Sequence, residues 1–466
     1  MGRTRTATAR RWQHYLGAGA AVAALAATAL VAGGGSGAGA ASTTGVTATS
    51  INIGATEPLT GPAAPGYDEI APAMQAVFSW VNAHGGIYGR KINFDYVDDG
   101  YNPATTATQT RKLVLQNQIF GTVGSLGTPT QTAVQAYLNA LKVPQTFVSS
   151  GCNCWSSSKY PYTTGWQPPY TVDGKVLGYY IKSHYAGEKI GYLTQDDEFG
   201  QDVVKGLDME IPSSQVVSEQ TYDAATLAGP LTTQMAALQA AGAQVVVLAT
   251  VPAATALAIL PAYIAGYKPQ FVADGVGADP ATVGPLLSSF AAKAGGSAAQ
   301  SAAAVSLLNG LITNVYQVPE NQSSSPWVQV ETKLLKDYAP SLWAKTGLDG
   351  NTQYGVAVAL TYVQALQAAG KDLTRQGLIN AIAAKGSKFV TPGLVPLSYS
   401  STSNYGFEGD QVVQISSSAT PVTTPNGSFP GFTTVSPVYT TSPGSGPVKV
   451  YAGKSTTPSA KLQSTS

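Results

Sequence analysis

Beyond residue 40 the chain carries two histidines, His84 and His184, and two cysteines, Cys152 and Cys154. These are few groups with which to build a catalyst. His84 lies in the Gly-rich turn Asn82-Ala83-His84-Gly85-Gly86, and His184 precedes Tyr185-Ala186-Gly187. Both positions suit a solvated helix end better than a general base. Paired acids at Asp98-Asp99 and at Asp196-Asp197-Glu198 follow strand-like segments and could act at a cleft. Acids at a helix start also complement its dipole, which is the expected role here. No G-x-S-x-G elbow, phosphate loop, G-x-G-x-x-G turn or H-E-x-x-H pair occurs. A metal at Cys152-x-Cys154 would need ligands that nothing places nearby, so a disulfide or two free thiols are expected there, with no metal and no cofactor.

Binding chemistry has more to draw on. Three strand ends are rich in glycine and small hydroxyl residues: Glu57 to Pro62, Gly124 to Thr130, and Ser149-Ser150-Gly151. Ligands of open α/β sheets sit beyond such carboxyl ends. At the second of them Thr128 reads as an N-cap and Pro129 as the first helical residue. A helix start there offers free backbone N–H groups to a carboxylate.

The elements that must carry these ends are legible in the hydrophobic pattern. Strands are expected at 51–56, 91–97, 119–124, 144–148, 189–194, 215–219, 244–249 and 270–273. Several are continuously apolar, as in a parallel sheet buried on both faces. Helical spacing recurs at 70–81, 128–141, 173–185, 198–209, 226–241, 252–265 and 279–293. Strand and helix alternating in this way imply an α/β architecture with right-handed crossovers. After a strand-like 310–316 the order changes, with helices at 325–338, 352–369 and 374–384. Strand-like pieces return at 393–399 and 411–415. From Ser416 onward 21 of 51 residues are Ser or Thr and none is acidic. A tail unable to fold alone is expected there, one use of which would be as a linker across a cell envelope.

Composition narrows the function classes. The 466 residues are 44% hydrophobic and 11% charged, enough apolar material for a core, with a surface that leans on Ser, Thr, Gln, Asn and Tyr. Four arginines fall within the first eleven residues, ahead of an apolar run from Leu16 to Val31 and an A-x-A site at Ala38-Gly39-Ala40. That is the pattern of a cleaved signal peptide, so the chain is expected to be exported, to a periplasm, a cell envelope or the medium. No cysteine follows the site to carry a lipid. Without the leader, 22 basic residues face 25 acidic ones, and no basic patch remains for a run of phosphates. Nucleic acid is therefore not an expected partner.

Six segments, in order, resemble the periplasmic leucine/isoleucine/valine-binding protein family, the type I solute-binding proteins of ABC importers. They are GATEPLTGP (Gly54 to Pro62), NAHGGIYGR (Asn82 to Arg90), VDDGYNP (Val97 to Pro103), Val123 to Thr130, DDEFG (Asp196 to Gly200) and ADGV (Ala273 to Val276). The resemblance implies two α/β lobes, each a mostly parallel sheet flanked by helices, joined by a three-strand hinge. It implies a monomer that traps a small solute (an amino acid or a related carboxylate or amide) and delivers it to a membrane permease. The implied division is a signal peptide at 1–40, lobe one at 46–165 and again at 316–388, lobe two at 166–315 and again at 389–416, and the tail at 417–466.

The resemblance also implies roles. Thr128 would hold a ligand carboxylate beside Gly127, with Ser149, Ser150 and Gly151 adding backbone and hydroxyl contacts. Phe199 would close over the ligand, Asp274 would pair with its ammonium in place of the usual Glu, and Tyr67 adjoins an aromatic lid. Tyr101 and Gly127 stand where the family has a disulfide. An aromatic-rich insert runs from Cys152 to Pro169, and Thr250-Val251-Pro252 replaces an aromatic of the second lobe, so an aromatic or amide-bearing solute stays open. Two other readings share the data: an exported sensory domain of the same fold, and an exported hydrolase using Asp196, Asp197 or His184.

Overall fold

The computed structural model of the chain describes residues 43–441 and 446–464; the expected leader at 1–40 lies outside the described residues. Five parallel strands build the first sheet: β1 (Ser50–Glu57), β2 (Lys91–Asp98), β3 (Thr122–Val123), β4 (Gln145–Val148) and β5 (Thr163–Gly165), in the order β2-β1-β3-β4-β5. The second sheet starts with β6 (Ile190–Gln195), β7 (Val216–Tyr222), β8 (Val245–Ala249), β9 (Gln270–Ala273) and β10 (Ile312–Val315), which run parallel to one another. Its central strand β8, VVVLA, is buried at every residue, as a continuous apolar run requires when helices cover both faces.

Chain order within the sheets explains the two-lobed form. The chain leaves the first sheet after β5 and returns to it after β10. Helices Pro326–Tyr338, Gly350–Ala369 and Arg375–Lys385 then cover the first sheet, with no strand between them. Helix Gly350–Ala369 lies so close to helix Ile70–Ala83 that a Cβ on Gly355 would stand 2.4 Å from the Ile70 carbonyl oxygen. Only glycine permits that approach.

Three segments cross between the lobes side by side. Trp166 O accepts from Phe407 N at 3.3 Å, Tyr316 O accepts from Leu394 N at 2.8 Å, and Pro392 O accepts from Val318 N at 3.0 Å. The fully buried Trp166 sits among them, edge-on to Tyr354 and Phe407. The third crossing starts no strand at 393–399; only a single bridge pairs Gly393 with Gln317. It enters the second sheet at β11 (Gly409–Ser416), antiparallel to β10.

The residues after Ser416 do not form a loose tail. A short hairpin of β12 (Val422–Thr424) and β13 (Gly427–Phe429) packs Phe429 on helix Pro280–Lys293, where its ring bars a Cβ at Gly284. Then β14 (Gly431–Thr440) runs antiparallel along β11, and β15 (Lys449–Val450) pairs with β14. The segment completes an existing edge, where hydrogen bonds come from β11 and most residues of β14 stay at least partly exposed, so Ser and Thr suffice. Further on, Trp327 Nε1 donates to Thr456 O at 2.7 Å, and Leu462 packs on the core of the first lobe.

Two other departures have local causes. Helix Pro103–Leu115 lacks an apolar stripe because its buried face includes Thr106 and Thr110; its start is capped by Asn102, which accepts from Ala104 N and Thr105 N. The helix expected from 226 begins only at Thr232, after Gly229-Pro230. Among the described residues no helix is long and apolar enough to cross a membrane.

Candidate functional site

The carboxyl ends of both sheets face one cavity, open to solvent on one side. Tyr101, Gly127 and Ser149 line it from the first lobe, Phe199, Val251 and Asp274 from the second, and Gln167, Tyr170 and Tyr316 from the crossings. The lobes touch across it. Tyr67 Oη donates to Val276 O at 3.2 Å, Gln195 Nε2 donates to Tyr101 Oη at 3.1 Å, and Asn351 Nδ2 donates to Thr282 Oγ1 at 2.9 Å. On the flank of Cys152 and Cys154, which are joined as a disulfide, Asn153 N donates to Asp202 Oδ2 at 2.8 Å. This is a closed arrangement.

The expected ligand residues fall into two layers. Tyr67, Gly127, Ser149, Phe199 and Asp274 reach the cavity wall; Thr128, Ser150 and Gly151 stand behind it. Gly127, not Thr128, is the residue before the helix Thr128–Ala140, and it takes the left-handed φ of 106°. A side chain there would also strike Thr130 and Tyr101. Thr128 Oγ1 bonds Ser150 Oγ at 2.7 Å, and Tyr170 closes on the same pair. Their hydroxyls are thus committed within the protein, while Ser149 Oγ donates to Gly124 O at 2.7 Å. Phe199 packs against Tyr170 with ring centroids 4.4 Å apart and planes tilted by 44°.

Carboxylates dominate the polar wall. Asp274 is 1% exposed; its Oδ1 accepts from Val276 N at 3.0 Å and its Oδ2 has no partner in the protein. Burial, reinforced by Asp410, raises its pKa to about 7. Asp173 is raised for the same reasons, burial first and then Asp410 and Asp274. Asp279 is pushed to about 7 by burial and by Asp349, and Glu320 well up by burial and by Asp279. Charged carboxylates crowded in a dry site repel one another, so protons are retained. No lysine, arginine or histidine lies among the lining residues.

Asp173, Asp279 and Glu320 went unnoticed in the sequence. Asp279 stands directly before Pro280 at a helix start, a signal that could have marked it; Asp173 lies inside a helix and Glu320 in a crossing, where pattern is silent.

The candidate catalytic groups are occupied structurally. Asp98 ties Leu59 N, Thr60 and Gly100 N together, Asp99 accepts from Tyr101 N and Thr106 Oγ1, and Asp197 caps a helix by accepting from Phe199 N. Asp196 is exposed. His184 stacks on Tyr180 at 3.9 Å and its Nδ1 bonds Tyr180 O; His84 bonds Trp80 O. Among the described residues no group of three His, Cys, Asp or Glu could hold a metal ion.

A family model described as periplasmic binding protein matches residues 50–404. No curated protein matches the chain. Among solved structures, a fatty acid ABC transporter substrate-binding protein from Thermomonospora curvata is 20% identical with a TM-score of 0.70, covering 88% of this chain and 97% of that one. A possible leucine/isoleucine/valine-binding protein from Rhodopirellula baltica is 21% identical, with a TM-score of 0.66 and coverage of 80% and 95%. A branched chain amino acid ABC transporter protein from Thermus thermophilus with bound valine is 18% identical, with a TM-score of 0.64 and coverage of 83% and 96%.

Proposed function

The chain belongs to the type I periplasmic binding protein family, and on that premise we propose that it is the exported solute-binding component of an ABC importer. It closes two lobes on a small amino-acid-like solute and presents the closed form to a membrane permease. One observation carries this reading: a cavity walled by both sheets, over which Tyr67, Gln195 and Asn351 bridge the lobes. Contacts from both walls exist only when the lobes are shut, so a bound solute shifts the population toward closure.

In this reading the unpartnered Oδ2 of Asp274 receives the solute's ammonium. A carboxylate or amide end points to the helix start at Gly127, with Thr128, Ser150 and Gly151 holding that turn in shape from behind. Phe199 and Tyr67 cover the chain of the solute.

Thermal unfolding of the refolded protein against amino acids, amides, polyamines, aromatic acids and sugars tests the proposal. A solute at one hundred times its dissociation constant adds about 2.7 kcal/mol, which raises the midpoint by several degrees. Asp274→Asn abolishes that rise. No rise with any solute contradicts a solute-binding role.

A further inference from the structure

We infer that the solute carries two cationic nitrogen groups, one for Asp274 and a second for an acidic pole at Asp279 and Glu320. This inference rests on the reading of Asp274 just given and adds the second pole and the class of solute.

Four carboxyl side chains line the one cavity: Asp173, Asp274, Asp279 and Glu320. They form two groups. Asp173 and Asp274 interact with each other and with Asp410 of β11 behind them. Asp279 and Glu320 interact with each other, with Asp349 behind them; Asp279 caps helix Pro280–Lys293, accepting from Thr282 N and Oγ1 and from Gly350 N, so Glu320 Oε1 is the unpartnered oxygen of this pole. Nothing cationic on the wall balances either group.

The hydrogen-bond ledger points the same way independently. Among the lining side chains, Asp274 Oδ2, Asp173 Oδ1, Thr313 Oγ1, Glu320 Oε1 and Gln317 Oε1 are buried with no partner in the protein. Asp173 is 3% and Glu320 9% exposed. Four of the five are acceptors once the acids are ionised, and the Thr313 hydroxyl can accept or donate. Buried acceptors left unpaired are costly, and a solute rich in N–H donors satisfies them. The same wall is rich in aromatic rings, among them Tyr67, Tyr101, Tyr170, Phe199, Tyr316 and Tyr354. Such rings pack an aliphatic spacer and also attract an ammonium held over a face. A neutral aliphatic side chain at the second pole would instead leave Glu320 buried and unpaired.

The groups around each pole set the proton balance. Asp274 faces Asp410, Asp173 and the hydroxyls of Tyr67 and Tyr170. Glu320 and Asp279 face Asp349, and Glu331 adds to Glu320. Lys345, whose side chain is 60% exposed, bonds Asp68 at 3.1 Å and also acts on Asp349 and on Glu69 beside it, but is not on the wall. Burial raises the pKa of these acids, that of Asp274 and Asp279 to about 7, so below that pH they retain protons. A dication ionises them, so its binding releases protons and strengthens as pH rises from about 5 to about 8.

Two sources supply this chemistry, α,ω-diamines and diamino acids. Calorimetric titration of the refolded protein with putrescine, cadaverine, ornithine, lysine and leucine, in buffers of differing ionisation enthalpy, separates them. The expected result is binding of the diamines or the diamino acids at least about tenfold tighter than leucine, with net proton release. Glu320→Gln weakens that binding by about tenfold or more, the loss of a charge-assisted hydrogen bond. Its unliganded midpoint equals or exceeds that of the parent, which separates lost binding from misfolding. Leucine bound as tightly as lysine, with Glu320→Gln changing neither, overturns the second pole and leaves the solute-binding reading intact. Binding of an uncharged solute alone, or of none, overturns the inference together with the role of Asp274.

Discussion

Tyr67 is the smallest unit on which closure turns. Its hydroxyl reaches across the cleft to the Val276 carbonyl while its ring stays buried against the first lobe. Tyr67→Phe removes the cross-lobe hydrogen bond and keeps the ring. A net loss of about 0.5–1.5 kcal/mol is expected, a fall in solute affinity of roughly two- to twelvefold, with an unliganded melting point close to the parent's. Affinity unchanged in a titration would show that this contact does not select the closed form. At this scale Ser149, at a strand end, and Phe199 and Asp274, named from the family resemblance, all line the cavity. The sequence did not reveal Asp173, Asp279 and Glu320. Each looks ordinary in its own segment, and the acidity of the site exists only once three distant segments converge.

Elements were legible where pattern and burial coincide. β8 and β9 carry their expected bounds to within a residue because an apolar run leaves one solution. Legibility failed where a segment is stabilised by its neighbour. Ser/Thr-rich β14 is a strand because β11 presents an open edge, and that edge cannot be read from residues 431–440 themselves. The same dependence makes a prediction. Truncation after Thr420 strips the hairpin and β14, baring the edge of β11 and the side chains beside Val412, Val413 and Ile415, which are 0–1% exposed. Uncovering two or three such residues costs about 3 kcal/mol or more. The melting point falls by several degrees; an unchanged melt would mean that β14 contributes nothing to the second lobe. Gly355→Val tests the first lobe similarly. Its side chain meets the Ile70 carbonyl at 2.4 Å, and the overpacking is expected to cost about 1–3 kcal/mol in denaturant unfolding.

Across the whole molecule, buried acids couple stability to pH. Asp410 sits at about 6, Asp274 and Asp279 at about 7 and Glu331 at about 8, all raised by burial above their unfolded values near 4. Between pH 4 and 8 the folded chain therefore holds more protons than the unfolded one, and stability falls as pH rises. The unliganded protein is expected to melt higher at pH 5 than at pH 8, with a bound dication reducing the difference. A melting point that climbs from pH 5 to 8 would remove the buried carboxyls from this role. The claim on which the account depends is that solute draws two lobes together. Small-angle X-ray scattering of the refolded protein, alone and with a saturating mixture of amino acids and diamines, tests it most directly. The account predicts a smaller radius of gyration with solute, reversed by dialysis and absent in Asp274→Asn. Superimposable profiles, from a mixture that calorimetry shows to be bound, would contradict it.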